Sequence, residues 1–141
     1  MEQGGVVMAR VLIIDDDPQI RALLRMKLED DGYEVEEAAD GKKGIDFYRQ
    51  RPAELIITDI VMPTKEGIEM IAELREEYPD VTIIAISGGG LGLAEDYLDW
   101  AQHLGAQLTF AKPVDLDELS EAVHNLIDKE KINTRCQAKQ R

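Results

Sequence analysis

The side chains best suited to chemistry stand at the ends of apolar runs. Arg10–Ile14 leads into Asp15-Asp16-Asp17-Pro18, and Leu55-Ile56-Ile57-Thr58 leads into Asp59, four residues before Pro63. Residues 81–86 lead into Ser87-Gly88-Gly89-Gly90, and residues 106–110 lead into Ala111-Lys112-Pro113. A carboxylate has no reason to end a buried strand unless it is used. In open α/β sheets the carboxyl ends of the strands form the ligand crevice. If these ends meet, they bring together three carboxylates (Asp15, Asp16 and Asp59), the Ser87 hydroxyl and the Lys112 ammonium. Three clustered carboxylates repel and stay ionised only when a cation shares the site. Oxygen donors with open positions suit Mg²⁺ or Mn²⁺. A lysine and a hydroxyl facing one point suit the oxygens of a phosphoryl group, and a carboxylate nucleophile can form an acyl phosphate. The set is suited to moving a phosphoryl group onto Asp59, which needs charge neutralisation and in-line positioning more than covalent work by the protein.

Each feature alone has a plainer explanation. Asp15-Asp16-Asp17 could cap a helix with charge to spare, Asp59 could start an Asx-type turn, and Ser87 before glycines is an ordinary loop residue. Tyr97, Trp100, His103 and His124 sit at helical spacing, where packing is the natural role. Agreement at four of five strand ends is what raises the site above these readings.

The elements that must position the set alternate strictly. The run 10–14 is continuously apolar after Arg10, as a strand buried on both faces requires. Asp17-Pro18 reads as an N-cap and first helical residue. The helix runs to about Asp30, with Ile20, Leu23, Leu24 and Leu28 inward and Arg21, Arg25 and Lys27 largely outward. Residues 33–38 mix apolar and acidic residues, as an edge strand would. Asp40 caps a second helix to about Gln50, weakened by Gly41 and Gly44. Strand 54–58 follows, then a helix over 65–78, strand 81–86, a helix over 93–104 and strand 106–110. The last helix opens on Asp115 with Glu118 three residues later, and Val114 and Leu119 are placed as a hydrophobic staple. From Lys131 the chain is polar and aperiodic, and a frayed tail is expected. Five βα units of this kind give an α/β fold: a five-stranded parallel sheet with five helices on both faces. The order 2-1-3-4-5 puts the apolar first strand inside and the mixed second strand at an edge.

Composition narrows the rest. The chain has 141 residues, enough for one core, and 16 Lys and Arg against 29 Asp and Glu give a net charge of −13. That charge opposes binding to nucleic acid or anionic membranes. The one cysteine, Cys136, allows no internal disulfide, and no Cys/His cluster marks a zinc site. No apolar run approaches the roughly 20 residues of a membrane span. With no signal-peptide pattern, a cytoplasmic location is expected.

The residues Ile14-Asp15-Asp16-Asp17-Pro18, Thr58-Asp59-Ile60-Val61-Met62-Pro63, Ile86-Ser87-Gly88 and Ala111-Lys112-Pro113 together resemble the receiver domain of bacterial two-component response regulators. The resemblance covers about residues 10–127 and implies a flavodoxin-like, doubly wound fold. It implies a phosphoacceptor, Asp59, taking its phosphoryl group from a phosphohistidine on a sensor histidine kinase or histidine phosphotransfer protein. It implies Mg²⁺ held by Asp15, Asp16, Asp59 and the backbone carbonyl of Val61, with Asp17 left free to cap. Ser87 would be the switch hydroxyl, Lys112 would bind a phosphoryl oxygen, and the Lys112–Pro113 bond would be cis.

Two positions depart from the family pattern. Thr109 stands where a switch aromatic is common, with Phe110 next to it and expected on the opposite face of its strand. Val114 stands where Phe is frequent. Phosphorylation is then expected to be reported through Gly88-Gly89-Gly90, the 93–104 helix and the fifth strand.

The expected organisation is a loose leader over residues 1–9, a receiver domain over 10–130 and a polar tail over 131–141. No output domain is expected in this chain, which would act as a monomer or weak dimer on an unknown downstream protein. Its only catalysis would be of its own phosphorylation and dephosphorylation. A phosphatase of the haloacid-dehalogenase class would also use an aspartyl phosphate, but that chemistry wants an acid where Val61 stands. The same residues could also serve an interaction domain that works without phosphorylation, or a piece of a larger hybrid protein.

Overall fold

The computed structural model describes residues 9–60, 66–87, 102–103 and 105–139. Five parallel strands, β1 (Arg10–Ile14), β2 (Glu34–Ala38), β3 (Leu55–Asp59), β4 (Ile83–Ser87) and β5 (Leu108–Ala111), form one sheet in the order β2-β1-β3-β4-β5. This is the expected order, and the reason is burial. Every residue of β1, β3 and β4 is buried, whereas β2 and β5 are partly exposed and lie at the edges.

Alternation along the strands divides the core in two. Leu12, Ile14, Ile56, Ile83 and Ala85 face α2 (Gly41–Gln50) and α3 (Glu66–Glu77), where they meet Ile45, Tyr48, Ile71 and Leu74. Val11, Ile13, Leu55, Ile57, Ile84 and Ile86 face α1 (Pro18–Asp30) and the last helix (Leu116–Lys139), where they meet Leu24, Leu28, Leu119 and Val123. Each such side chain contributes roughly 1.5–3 kcal/mol on burial, so the sheet is held from both sides and its C-terminal edge is a fixed rim. No helix among the described residues is long and apolar enough to cross a membrane.

The helix starts follow their capping chemistry. The Asp17 carboxylate accepts from the Gln19 amide at 2.9 Å, and Asp40 accepts from Lys43 at 2.8 Å. Asp115 accepts from the amides of Asp117 and Glu118 at 2.9 and 3.1 Å. The helix expected over 93–104 and the Gly88-Gly89-Gly90 loop lie largely outside the described residues.

Two expectations from the sequence are corrected. Helical backbone continues through Lys139, past the expected fraying at Lys131. No Gly or Pro interrupts residues 128–139, and most are straight-chain helix formers. The second correction concerns Gly44, whose low helix propensity reads from the sequence as a weakness of α2. A Cβ there would lie 2.3 Å from Ile14 Cδ1 and 2.8 Å from its Cγ1. The missing side chain lets α2 lie directly on β1, one residue before Asp15.

Gly44→Ala is therefore expected to destabilise the protein by about 1–2 kcal/mol, because overpacking against a buried Ile outweighs the roughly 1 kcal/mol that Ala gains in a helix. Urea unfolding tests this; an unchanged or raised midpoint would show that Ile14 moves aside freely.

Candidate functional site

The C-terminal ends of the strands converge as expected. The register pairs Ile14 with Thr58, Asp59 with Ile86 and Ser87 with Ala111. Asp15 therefore follows β1 beside the end of β3, Asp59 and Ser87 close β3 and β4, and Lys112 follows β5. Asp15 is 2% exposed and Asp59 5%, while Asp16 is open to solvent. Carboxylate oxygens of these three lie within 4.8 Å of one another.

Lys112 ties the cluster together. Its Nζ donates to Asp15 Oδ2 at 3.1 Å and to Asp59 Oδ2 at 3.2 Å. Burial works to lower the ammonium pKa, but Asp59 and Asp15 outweigh it and hold the group above its ordinary value. Among the described residues, three carboxylates face this one ammonium, a formal deficit of two charges. Hard oxygen donors and that deficit fit a divalent cation such as Mg²⁺.

Ser87 is fully buried, and its Oγ has no hydrogen-bond partner among the described residues. An unsatisfied buried hydroxyl costs about 1–3 kcal/mol, which makes it a donor suited to an arriving oxygen. The Lys112 amide donates to the Ser87 carbonyl at 2.9 Å, and the Lys112–Pro113 peptide is cis. Thr109 pairs with Ala85 on the Ser87 face of the sheet. Phe110 pairs with Ile86 and packs against the opposite core, the orientation expected from alternation. Val61 lies outside the described residues.

Sequence reasoning missed one side chain beside the site. Arg21, expected to point largely outward, is half-buried. It donates from Nη1 to the Asp15 carbonyl at 2.6 Å and from Nε to Glu37 Oε1 at 3.1 Å. Arg25 binds the other Glu37 oxygen at 2.8 Å. Arg25 first, then Arg21, hold the Glu37 carboxyl below its usual range against the opposing effect of burial. The available signal was the acidic second strand beside the basic face of α1, although spacing alone does not say which arginine reaches inward.

Comparison with known proteins agrees with this geometry. The sporulation initiation phosphotransferase F of Bacillus subtilis is 31% identical over 114 residues, covering 81% of this chain and 90% of that protein. The DNA-binding dual master transcriptional regulator RpaA of Synechocystis is 34% identical over 120 residues, and there the chain spans only 49% of its relative. A CheY-like receiver domain structure from Methanospirillum hungatei superposes with a TM-score of 0.82 at 28% identity, covering 90% of this chain and 99% of that one. A receiver domain structure from Clostridium thermocellum gives 0.81 at 30% identity, covering 89% and 98%. Residues 11–124 match the family described as the response regulator receiver domain, and the chain belongs to that family.

Proposed function

We propose that this chain is the phosphoacceptor of a two-component phosphorelay, with Asp59 as the phosphorylated residue. The convergence of Asp15, Asp16, Asp59 and Lys112 at one rim of the sheet supports this most directly. An Asp59 carboxylate oxygen forms a bond to phosphorus as the phosphorus–nitrogen bond of a phosphohistidine breaks. The electron pair of that bond stays with the imidazole, which takes up a proton. Lys112 transfers its donor bonds from the Asp59 carboxylate to a phosphoryl oxygen, and the buried Ser87 hydroxyl donates to another. Asp15, Asp16, Asp59 and the Val61 carbonyl would hold Mg²⁺ or Mn²⁺, which supplies charge neutralisation for the phosphoryl oxygens when bound.

The donor is a sensor histidine kinase or a histidine phosphotransfer protein. The phosphorylated state presents a changed surface around residues 93–104 and β5 to a downstream protein. No substrate is turned over beyond the chain's own acyl phosphate, and the work is done in the cytoplasm by the domain over residues 10–130.

Acetyl phosphate with Mg²⁺ is expected to label the wild type, and Asp59→Asn to remain unlabelled under the same conditions. Intact-protein mass spectrometry reads the added phosphoryl group; an unlabelled wild type would falsify the reading.

Lys112→Met separates two roles of one ammonium. With no ammonium holding the Asp15 and Asp59 oxygens, Mg²⁺ should bind several-fold more tightly, while labelling slows by about 10²-fold. Calorimetric titration and labelling rates measure the two effects. Parallel losses in both would contradict the assignment of Lys112 to the phosphoryl group.

A further inference from the structure

We infer that Arg21 is a positioning residue for the metal-binding carboxylates, acting through the main-chain carbonyl of Asp15, with Glu37 on β2 as its anchor. The inference rests on the phosphoacceptor reading. The carbonyl that Arg21 grips belongs to the peptide unit joining Asp15 to Asp16. That unit is planar, so fixing its oxygen fixes the direction in which the chain leaves Asp15 and hence where the Asp16 Cα, from which that carboxylate projects, stands. Asp16 needs such help. Its side chain is exposed and makes no hydrogen bond or ion pair among the described residues.

The remaining polar groups of Asp15 are already assigned. Its amide donates to the Ala38 carbonyl at 3.2 Å, and its Oδ1 accepts from the Asp17 amide at 2.8 Å. Its Oδ2 accepts from Lys112. The carbonyl lies beyond the β1 ladder and ahead of the helix, whose first backbone bond runs from the Arg21 amide to the Asp17 carbonyl at 3.1 Å. Arg21 gives it a partner at 2.6 Å.

A guanidinium suits this work because its donors form a rigid fork. One arm holds Asp15 and another holds Glu37, which Arg25 grips from the far side. Glu37 pairs in register with Ile13, two residues before Asp15. The edge strand therefore braces the acidic turn twice, through the Ala38 carbonyl on the Asp15 amide and through the Glu37 side chain by way of Arg21. Partners that orient metal ligands from behind change metal affinity by about 10–100-fold when removed.

Arg25 supplies the internal comparison. It shares Glu37 and also pairs with Glu29, but has no bond to Asp15. In the unphosphorylated full chain, Arg21→Ala is expected to weaken Mg²⁺ binding about 10-fold by calorimetry, whereas Arg25→Ala stays within about twofold of wild type. Without metal, Arg21→Ala should also speed hydrogen exchange at the Asp17 amide, whose bond to Asp15 Oδ1 depends on the turn. Arg21→Lys, which keeps the charge but not the fork, should recover part of the affinity, and it decides the matter if the alanine variant does not fold. Wild-type affinity and wild-type Asp17 exchange in the Arg21 variants would overturn the inference, as would an equal loss in Arg25→Ala. If the wild type itself neither binds Mg²⁺ nor takes label, the phosphoacceptor reading fails, and Asp17 exchange alone then decides whether Arg21 positions the turn.

Discussion

Three carboxylates held within 4.8 Å of one another repel, and one lysine cannot neutralise them all. Much of the fold bears on that constraint. Asp15 and Asp59 are buried where water screens little; among the described residues Lys112 offsets part of their mutual repulsion, and a cation would offset more. Lys112 can meet part of it only because β5 lies at the edge next to β4, which sets the lysine across the rim from β1 and β3. Carboxylates in excess of the ammonium also suit a divalent ion and the phosphoryl oxygens that come with it.

Holding repelling groups in place requires a frame that does not yield. Strands β1, β3 and β4 are apolar throughout most of their buried length, and two separate cores press on the sheet from opposite faces. Interiors packed at crystal-like density transmit strain rather than absorb it. Close packing reaches the site itself: Ile14, the last residue before Asp15, lies against the backbone of Gly44, with no room for a Cβ. On the far side of that turn, Arg21 and Glu37 tie the Asp15 carbonyl to the edge strand. Packing fixes where β1 ends, and hydrogen bonds fix how the chain leaves it.

Much of this is legible in the sequence. The continuous apolar runs read as strands buried on both faces, the mixed 33–38 segment read as an edge, and Asp17, Asp40 and Asp115 stood where caps were needed. These signals are local: periodicity and capping depend on residues within a turn or two. Gly44 and Arg21 were misread for the opposite reason. A glycine in a helix looks like a weakness until the neighbouring strand is known to approach it, and an arginine on a helix looks outward until an acidic strand is seen beside it. The last helix outran its expected end because nothing in residues 128–139 stops a helix, and lack of an apolar stripe is no stop signal.

The sequence by itself determined the strand and helix order, the polar residue at each strand end, and hence the kind of chemistry available, because these follow from side-chain type and spacing along the chain. Only the tertiary structure decided that Lys112 bridges Asp15 and Asp59, that Ser87 is buried with a hydroxyl unmet among the described residues, and that Arg21 rather than Arg25 grips the acidic turn. Those facts depend on distances between residues far apart in the chain. Such distances are set by how two cores close on the sheet and not by any local pattern.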